Sequence, residues 1–304
     1  MANLKALKDR IKAVRSTQKI TRAMRVVSAS KLRRARQSLD DNFPHALAVS
    51  GMYRRVSHET LDQPVGVSKL SNLSADTKAP VSLWLVCLSQ KGLCGGFNSQ
   101  LLKYARLMAE SELSEGRDFR ILALGERSLG SLGRAYPSAV LPAYAGYAPP
   151  MELADYIDRL VAHLEFLRTE HGFVEIRIFY QSFRSAVQQL PTSSVIWPMS
   201  LRAMPEDVMH PASSEVVASL PVTYEPDFAS IRARAEASML QAALYRILLH
   251  HDTSEHGARM TAMENATQAA GEMIRKLTLQ YNRSRQAAIT TELIEIISGA
   301  EALA

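Results

Sequence analysis

Counting in sevens from Leu4 picks out Leu4, Leu7, Ile11, Val14, Gln18, Thr21, Arg25, Ser28, Leu32, Ala35, Leu39, Asn42, Ala46, Val49, Tyr53 and Val56. This seam is apolar at both ends and polar between residues 18 and 28. Apolar positions alternating at threes and fours predict one long helix with a coiled-coil face. Inside the polar stretch the apolar residues shift to Ile20, Ala23, Met24 and Val27, so the seam is expected to rotate about the helix and change partner there. A second series runs through Ile231, Ala235, Leu240, Leu244, Ile247, His251, Ala258, Ala262, Ala266, Ala269, Met273, Leu277, Tyr281 and Ala288. Asp227, just after Pro226, is a candidate N-cap for it, and the pattern remains helical to about Ser298 and Gly299. Its middle is rich in alanine, with Gly257 and Gly271 nearby, and small residues let two backbones approach closely. That face is therefore expected to lie against the N-terminal helix.

Between these ends the pattern changes. All 13 prolines fall between Pro44 and Pro226. A proline costs about 3 kcal/mol in a helix interior, so the two proline-free ends suit long helices. Pro44, following Asp40, Asp41 and Asn42, predicts either a kink or a restart capped by Asn42. Residues 81–88 (VSLWLVCL), 119–125 (FRILALG), 173–180 (FVEIRIFY) and a stretch around 186–197 read as strands. Helical patterns follow the first strand, to Ala109, and span 151–171. Alternating strands and helices predict an α/β sheet that is at least partly parallel. The expected organisation is a coiled-coil helix over 1–58, a linker over 59–80, an α/β domain over 81–226 and a second coiled-coil helix over 227–304.

Charge separates the two ends. The net charge is +6. Residues 1–43 carry twelve Lys or Arg against Asp9, Asp40 and Asp41, whereas residues 229–304 are neutral, with eight of each sign. A basic helix of this kind suits a solvated coiled-coil face, docking on an acidic partner, or a nucleic-acid arm. Against the last, no aromatic residue precedes Phe43 and no zinc or helix-turn-helix spacing is present. The start, MANLKALKDRIKAVR, is charged from residue 5, which predicts no secretory leader. No run of about 18 uncharged apolar residues exists to span a bilayer. The expectation is a protein that is soluble or docked on something in the membrane. Cys87 and Cys94 are the only cysteines, and two free thiols in a reducing compartment are expected rather than a metal site.

Candidate chemistry is sparse. The turn Gly92-Leu93-Cys94-Gly95-Gly96 follows a strand, but it has neither the Walker spacing nor G-x-G-x-x-G, so it reads as a tight strand-to-helix turn. His250, His251 and His256 are the one histidine cluster; without nearby cysteine or paired carboxylates they are expected on a helix surface. No catalytic residue, cofactor site or metal site is expected.

Three blocks carry a resemblance. They are Thr17-Gln18-Lys19-Ile20-Thr21-Arg22-Ala23-Met24 with Val27-Ser28-Ala29-Ser30-Lys31-Leu32; the turn GLCGGFN at 92–98; and Ala258-Arg259-Met260-Thr261-Ala262-Met263 followed by Tyr281-Asn282-Arg283-Ser284-Arg285-Gln286-Ala287-Ala288-Ile289-Thr290-Thr291-Glu292-Leu293. In this order they closely resemble the gamma-subunit family of F-type ATP synthases. The resemblance is thinner over 59–79 and 110–222, and Gln90-Lys91 and Val222 depart from the family pattern.

The resemblance implies a long antiparallel coiled coil of the two terminal helices, pairing as a shaft, with a Rossmann-like α/β domain inserted between them. It implies a non-catalytic rotor that couples proton-driven rotation to ATP synthesis on the beta subunits. The implied partners are the alpha, beta and epsilon subunits and the membrane c-ring, with no nucleic acid, no cofactor and no substrate of its own. The implied location is the cytoplasmic face of the bacterial inner membrane, peripherally. By motif match, Arg22, Met24 and Arg25 would face beta at a collar, Arg285, Gln286 and Thr290 would touch beta at a catch, and Arg259 would belong to a coupling region. Tyr224 would lie near the foot that meets the c-ring. The alternatives are a nucleic-acid-binding coiled coil using the basic helix and an α/β nucleotide-binding enzyme using the GLCGG turn.

Overall fold

The computed structural model describes residues 2–58, 81–125, 129–144, 152–208 and 224–301; the expected linker over 59–80 and Val222 lie outside them. The elements are α1 (Ala2–His58), β1 (Val81–Cys87), α2 (Phe97–Ser114), β2 (Asp118–Leu124), α3 (Gly130–Ala135), α4 (Leu153–His171), β3 (Glu175–Phe183), β4 (Gln189–Trp197) and α5 (Phe228–Glu301). Short 3-10 turns lie at Pro137–Ala139 and Leu201–Ala203. Packing divides the chain into two compact units, one of Met1–Ser30 with Arg259–Ala304 and one of Lys31–Ala258.

In the first unit the two helix segments run antiparallel. Leu7 and Ile11 pack on Leu277, flanked by Val14 and Tyr281. Further along, Gln18 Nε2 donates to the Thr267 carbonyl at 3.4 Å, and Thr267 Oγ1 donates to Thr21 Oγ1 at 2.8 Å. Arg25 pairs with Glu264 at 2.5 Å. A Cβ on Gly271 would sit 3.1 Å from Gln18 Nε2, so the glycine serves close approach at this level. The expected rotation of the seam does not occur. Thr21 and Ser28 are buried, Gln18 and Arg25 half-buried, while Ile20, Val26 and Val27 are exposed. The seam keeps its heptad line and becomes polar, because α5 supplies hydrogen-bonding partners where apolar contacts lapse.

The second unit is built on a four-stranded sheet of order β2-β1-β3-β4. β1 is parallel to both β2 and β3, and β4 is antiparallel to β3. Alternation along β1 feeds two cores, as expected of a strand covered on both faces. Trp84 and Val86 face Leu101, Leu102 and Ala105 of α2 and Leu132 of α3. Trp84 stacks on Phe119 with ring centroids 4.3 Å apart. Leu83, Leu85 and Cys87 face the other way, onto Ile157, Leu160 and Leu164 of α4. That second core also takes in Ala46, Tyr53 and Val56 of α1 and Met239, Ala243, Leu244 and Ile247 of α5.

Three local features differ from expectation. α1 is continuous through Pro44, which lies inside it, so no restart at Asn42 occurs. Gly257 does not face α1: a Cβ there would meet the Ala186 backbone at 3.4 Å, in the turn between β3 and β4. His250 and His251 are buried rather than displayed on a helix surface. At the start of α5, Asp227 caps as anticipated, with Oδ1 accepting from the Ser230 N–H at 2.9 Å and Oδ2 from the Ser230 hydroxyl at 2.7 Å.

Candidate functional site

The first unit presents a surface its own packing leaves uncovered. Val26, Val27 and Ile20 on α1 are exposed, as are Leu279, Ile289, Leu293, Ile294, Ile296 and Ile297 on α5. A helix end carrying this many exposed isoleucines and leucines is an interaction surface rather than a solvated one. Around it are the residues singled out by motif. Arg22, Arg285, Gln286 and Thr290 are exposed and Met24 is half-buried. Gln286 and Thr290 share a helix face at i and i+4, with the Thr290 hydroxyl bonded back to the Gln286 carbonyl at 2.9 Å. Arg25 and Glu264 are each 39% exposed, so Arg25 reaches the surface already paired. Arg259 is 6% exposed and has contacts of its own, and is not a displayed charge.

Tyr224 belongs to the second unit. Its ring meets Phe228 edge-on at 5.0 Å. It lines an apolar groove of about 680 Å³ with Gly51, Met52, Arg55 and Val56 of α1 and Ile231 of α5.

The carboxyl end of the sheet is where this kind of fold has its ligand crevice. Ligands bind where strand order reverses, and in the order β2-β1-β3 that point lies between β1 and β3. Here α5 fills it. Gln181 N–H donates to His251 Nδ1 at 3.4 Å, and the Ser254 hydroxyl donates to the Gln181 carbonyl at 3.0 Å. Gln90 N–H donates to Glu255 Oε2 at 3.0 Å. The GLCGG turn is closed by the residues that flank it: Ser89 N–H donates to Asn98 Oδ1 at 3.0 Å, and Asn98 Nδ2 donates to Ser89 Oγ at 2.7 Å. Leu93, in left-handed backbone at φ 63, stays exposed at its tip. His251 is 7% exposed; burial, offset in part by Glu255 and the Leu88 backbone, depresses its pKa to about 4 and keeps the ring neutral near pH 7. Among the described residues, no group of three or more His, Cys, Asp or Glu could hold a metal ion.

Beside the crevice sits a buried ionic cluster. Arg246, 3% exposed, pairs with Asp207 and donates to the Leu39 carbonyl at 2.7 Å. His250 Nε2 lies 3.0 Å from the same Asp207 oxygen. Burial raises the Asp207 pKa, but hydrogen bonds from His250 and Arg246 outweigh it and hold the carboxyl at about 2. This cluster joins α1, α5 and the segment after Leu201–Ala203, and its order is structural.

A family model described as ATP synthase matches residues 3–303. The ATP synthase gamma chain of Allorhizobium ampelinum is 37% identical over 303 residues, covering 100% of both chains. That of Rhizorhabdus wittichii is 38% identical over 304 residues, with the same coverage. The chain belongs to the ATP synthase gamma chain family. In fold, it resembles a chain of the Euglena gracilis mitochondrial ATP synthase OSCP/F1/c-ring assembly, with a TM-score of 0.64 at 15% identity, covering 99% of this chain and 95% of that one. A chain of the Tetrahymena thermophila mitochondrial ATP synthase central stalk and c-ring gives 0.54 at 23% identity, covering 81% and 99%.

As a gamma chain it is a subunit of ATP synthase, a membrane-associated complex, and no helix among its described residues is long and apolar enough to cross a membrane. Motif matching did not find the crevice side chains or the Arg246 cluster. A signal for the latter exists: Arg246 and His250 interrupt the apolar run of α5 on the same face as Ala243 and Ile247, where a charge needs a buried partner.

Proposed function

We propose that this chain is the central-stalk rotor of an F-type ATP synthase, coupling proton-driven c-ring rotation to successive conformational changes at the catalytic beta subunits. It contributes no catalytic group, and chemistry resides on beta. The observation that carries this reading is the uncovered apolar surface of a paired helix unit, in a chain matching gamma chains over their full length. Such a surface needs a surrounding partner, and the alpha and beta subunits would supply it. Epsilon and the c-ring would engage the sheet-containing unit, with Tyr224 near the foot. The complex would sit at the cytoplasmic face of the inner membrane. The nucleic-acid alternative has no support beside a full-length family match.

Coupling of this kind requires the chain to have different contact free energies with the different beta conformers, as any ligand that shifts a conformational equilibrium must. The two helices serve that need by being unlike: one is strongly basic, the other neutral. Exposed Arg22 would make shallow, salt-screened contacts with acidic beta surface, joined by Met24 and by Arg25 through its pair with Glu264. Gln286 and Thr290, with Arg285 beside them, would form the catch, and Arg259 would act from within the coupling region. The test is co-purification from the native host. Recovery of alpha, beta and an epsilon-type subunit with the tagged chain is expected, and a chain recovered without alpha and beta overturns the reading.

A further inference from the structure

β1 pairs with β3 only from Ser82↔Glu175 to Val86↔Phe179, and β3 runs on to Phe183. The stretch of β3 beyond Phe179 is completed from one side by α5 rather than by another strand. His251 and Ser254, three apart on one helix face, take the amide and the carbonyl of the same residue, Gln181. His250 Nδ1 accepts from the Phe183 N–H at 3.4 Å. Glu255 holds the first residues after β1 through the Gln90 N–H, and the Gln181 side chain reaches across to the Phe97 carbonyl at 2.9 Å.

Most other contacts of α5 with the sheet, through Met239, Ala243, Leu244 and Ile247, are apolar. Apolar contacts resist separation but are non-directional, and they tolerate small slips. Hydrogen bonds to fixed backbone atoms do not. Moving a helix by one residue displaces it 1.5 Å and turns its side chains by about 100°, taking all four side chains out of reach at once. We infer that His250, His251, Ser254 and Glu255 are positioning residues that pin the rotation and axial register of α5 on the sheet, forming the joint through which torque passes between them. This rests on the rotor reading for its functional consequence, though the pinning itself does not.

The test uses the full chain, alone and in the assembled enzyme. The double variant His251→Phe with Ser254→Ala keeps apolar bulk and removes both bonds to Gln181. In the isolated chain, amide hydrogen exchange at Gln181 and Phe183 is expected to speed up at least about tenfold. Wild-type amides that exchange as fast as the variant's overturn the pinning, whatever the chain's function. In proteoliposomes, protons pumped per ATP hydrolysed are expected to fall to about half or less, with hydrolysis retained. His251→Asn, whose Oδ1 can accept from Gln181, is expected to keep the pumping ratio near wild type. Met239→Ala, a purely apolar loss on the same helix, is expected to lower Tm without lowering that ratio. A double variant pumping at the wild-type ratio, or Met239→Ala losing as much coupling as the double variant, overturns the joint. Failure of the wild-type chain to restore pumping at all refutes the rotor reading instead.

Discussion

Acidification should destabilise the sheet-containing unit through His251. Its ring lies 5.1 Å from that of Phe97, and its Nδ1 is committed to the Gln181 amide. The groups facing it are Glu255 and Asp252 on its own helix, Cys87 at the end of β1 and Tyr156 on α4. Glu255 favours the charged ring, but burial dominates and lowers the pKa from 6.5 to about 4. Below pH 6.5 the unfolded chain takes up a proton that the folded chain refuses until about pH 4. The unfolded state therefore binds more protons across this window. Stability is fully present above pH 6.5 and is lost progressively down to about pH 4. The difference between the two values corresponds to about 3 kcal/mol, a large share of a typical domain's 5–15. Denaturant melts of the isolated chain, followed by the fluorescence of Trp84 and Trp197, would measure it at steps from neutral to about pH 4. His251→Asn cannot titrate, so its stability should fall less over that window, by about 3 kcal/mol. Equal pH dependence in both proteins would refute a buried neutral imidazole. The Asp207 contribution does not confuse the comparison, because it is lost only as pH falls from 3.8 through about 2.

Asp207→Ala leaves the buried Arg246 guanidinium without its half-buried carboxylate and should cost up to about 3 kcal/mol in a denaturant melt; a cost under about 1 would show that Arg246 does not depend on this partner. Gly125, at φ 124, has the Leu88 carbonyl oxygen 2.8 Å from where a Cβ would stand. Gly125→Ala should therefore destabilise by about 2 kcal/mol or more, whereas Gly51→Ala, in α1 with nothing within 4 Å, should stabilise by about 0.5–1. A reversed order of their Tm values would refute this. Leu7→Asp, in the cluster with Ile11 and Leu277, should cost about 1.5–3 kcal/mol in helix pairing, read as reduced helicity by circular dichroism on mild heating; an unchanged melt would remove Leu7 from the seam.

Much of the fold was legible because its elements are strongly periodic. The sevens counted from Leu4 mark buried or half-buried positions all the way to Val56, including the polar ones. The four strands fall where β-branched and aromatic runs predicted them, with β3 extending past Tyr180 to Phe183. α3 was not anticipated, being six residues long with two glycines. The seam does not rotate with its apolar residues onto a new line, because α5 offers polar partners along the heptad line itself. Ile20 and Val27 point out, and Gln18, Thr21 and Arg25 point in, since Thr267 and Glu264 stand opposite them. The histidines escape a helix-surface reading in the same way: strand backbone amides of Gln181 and Phe183 receive His251 and His250.

Period, charge separation and family motifs are properties of neighbouring residues, and sequence alone determined them. It therefore determined that there are two long helices around an α/β segment, that one is basic, and that the chain is a gamma chain. Only the tertiary structure decided which polar groups are buried and which partners they meet. Gln18 meets its partner 249 residues away, Arg246 reaches Leu39 across 207, and His251 reaches Gln181 across 70. Burying a polar group is favourable only when its hydrogen bond is supplied, and that supply depends on which backbone the fold brings alongside. The ligand crevice illustrates this: its strands and turn were visible in the sequence, but that α5 fills it was not.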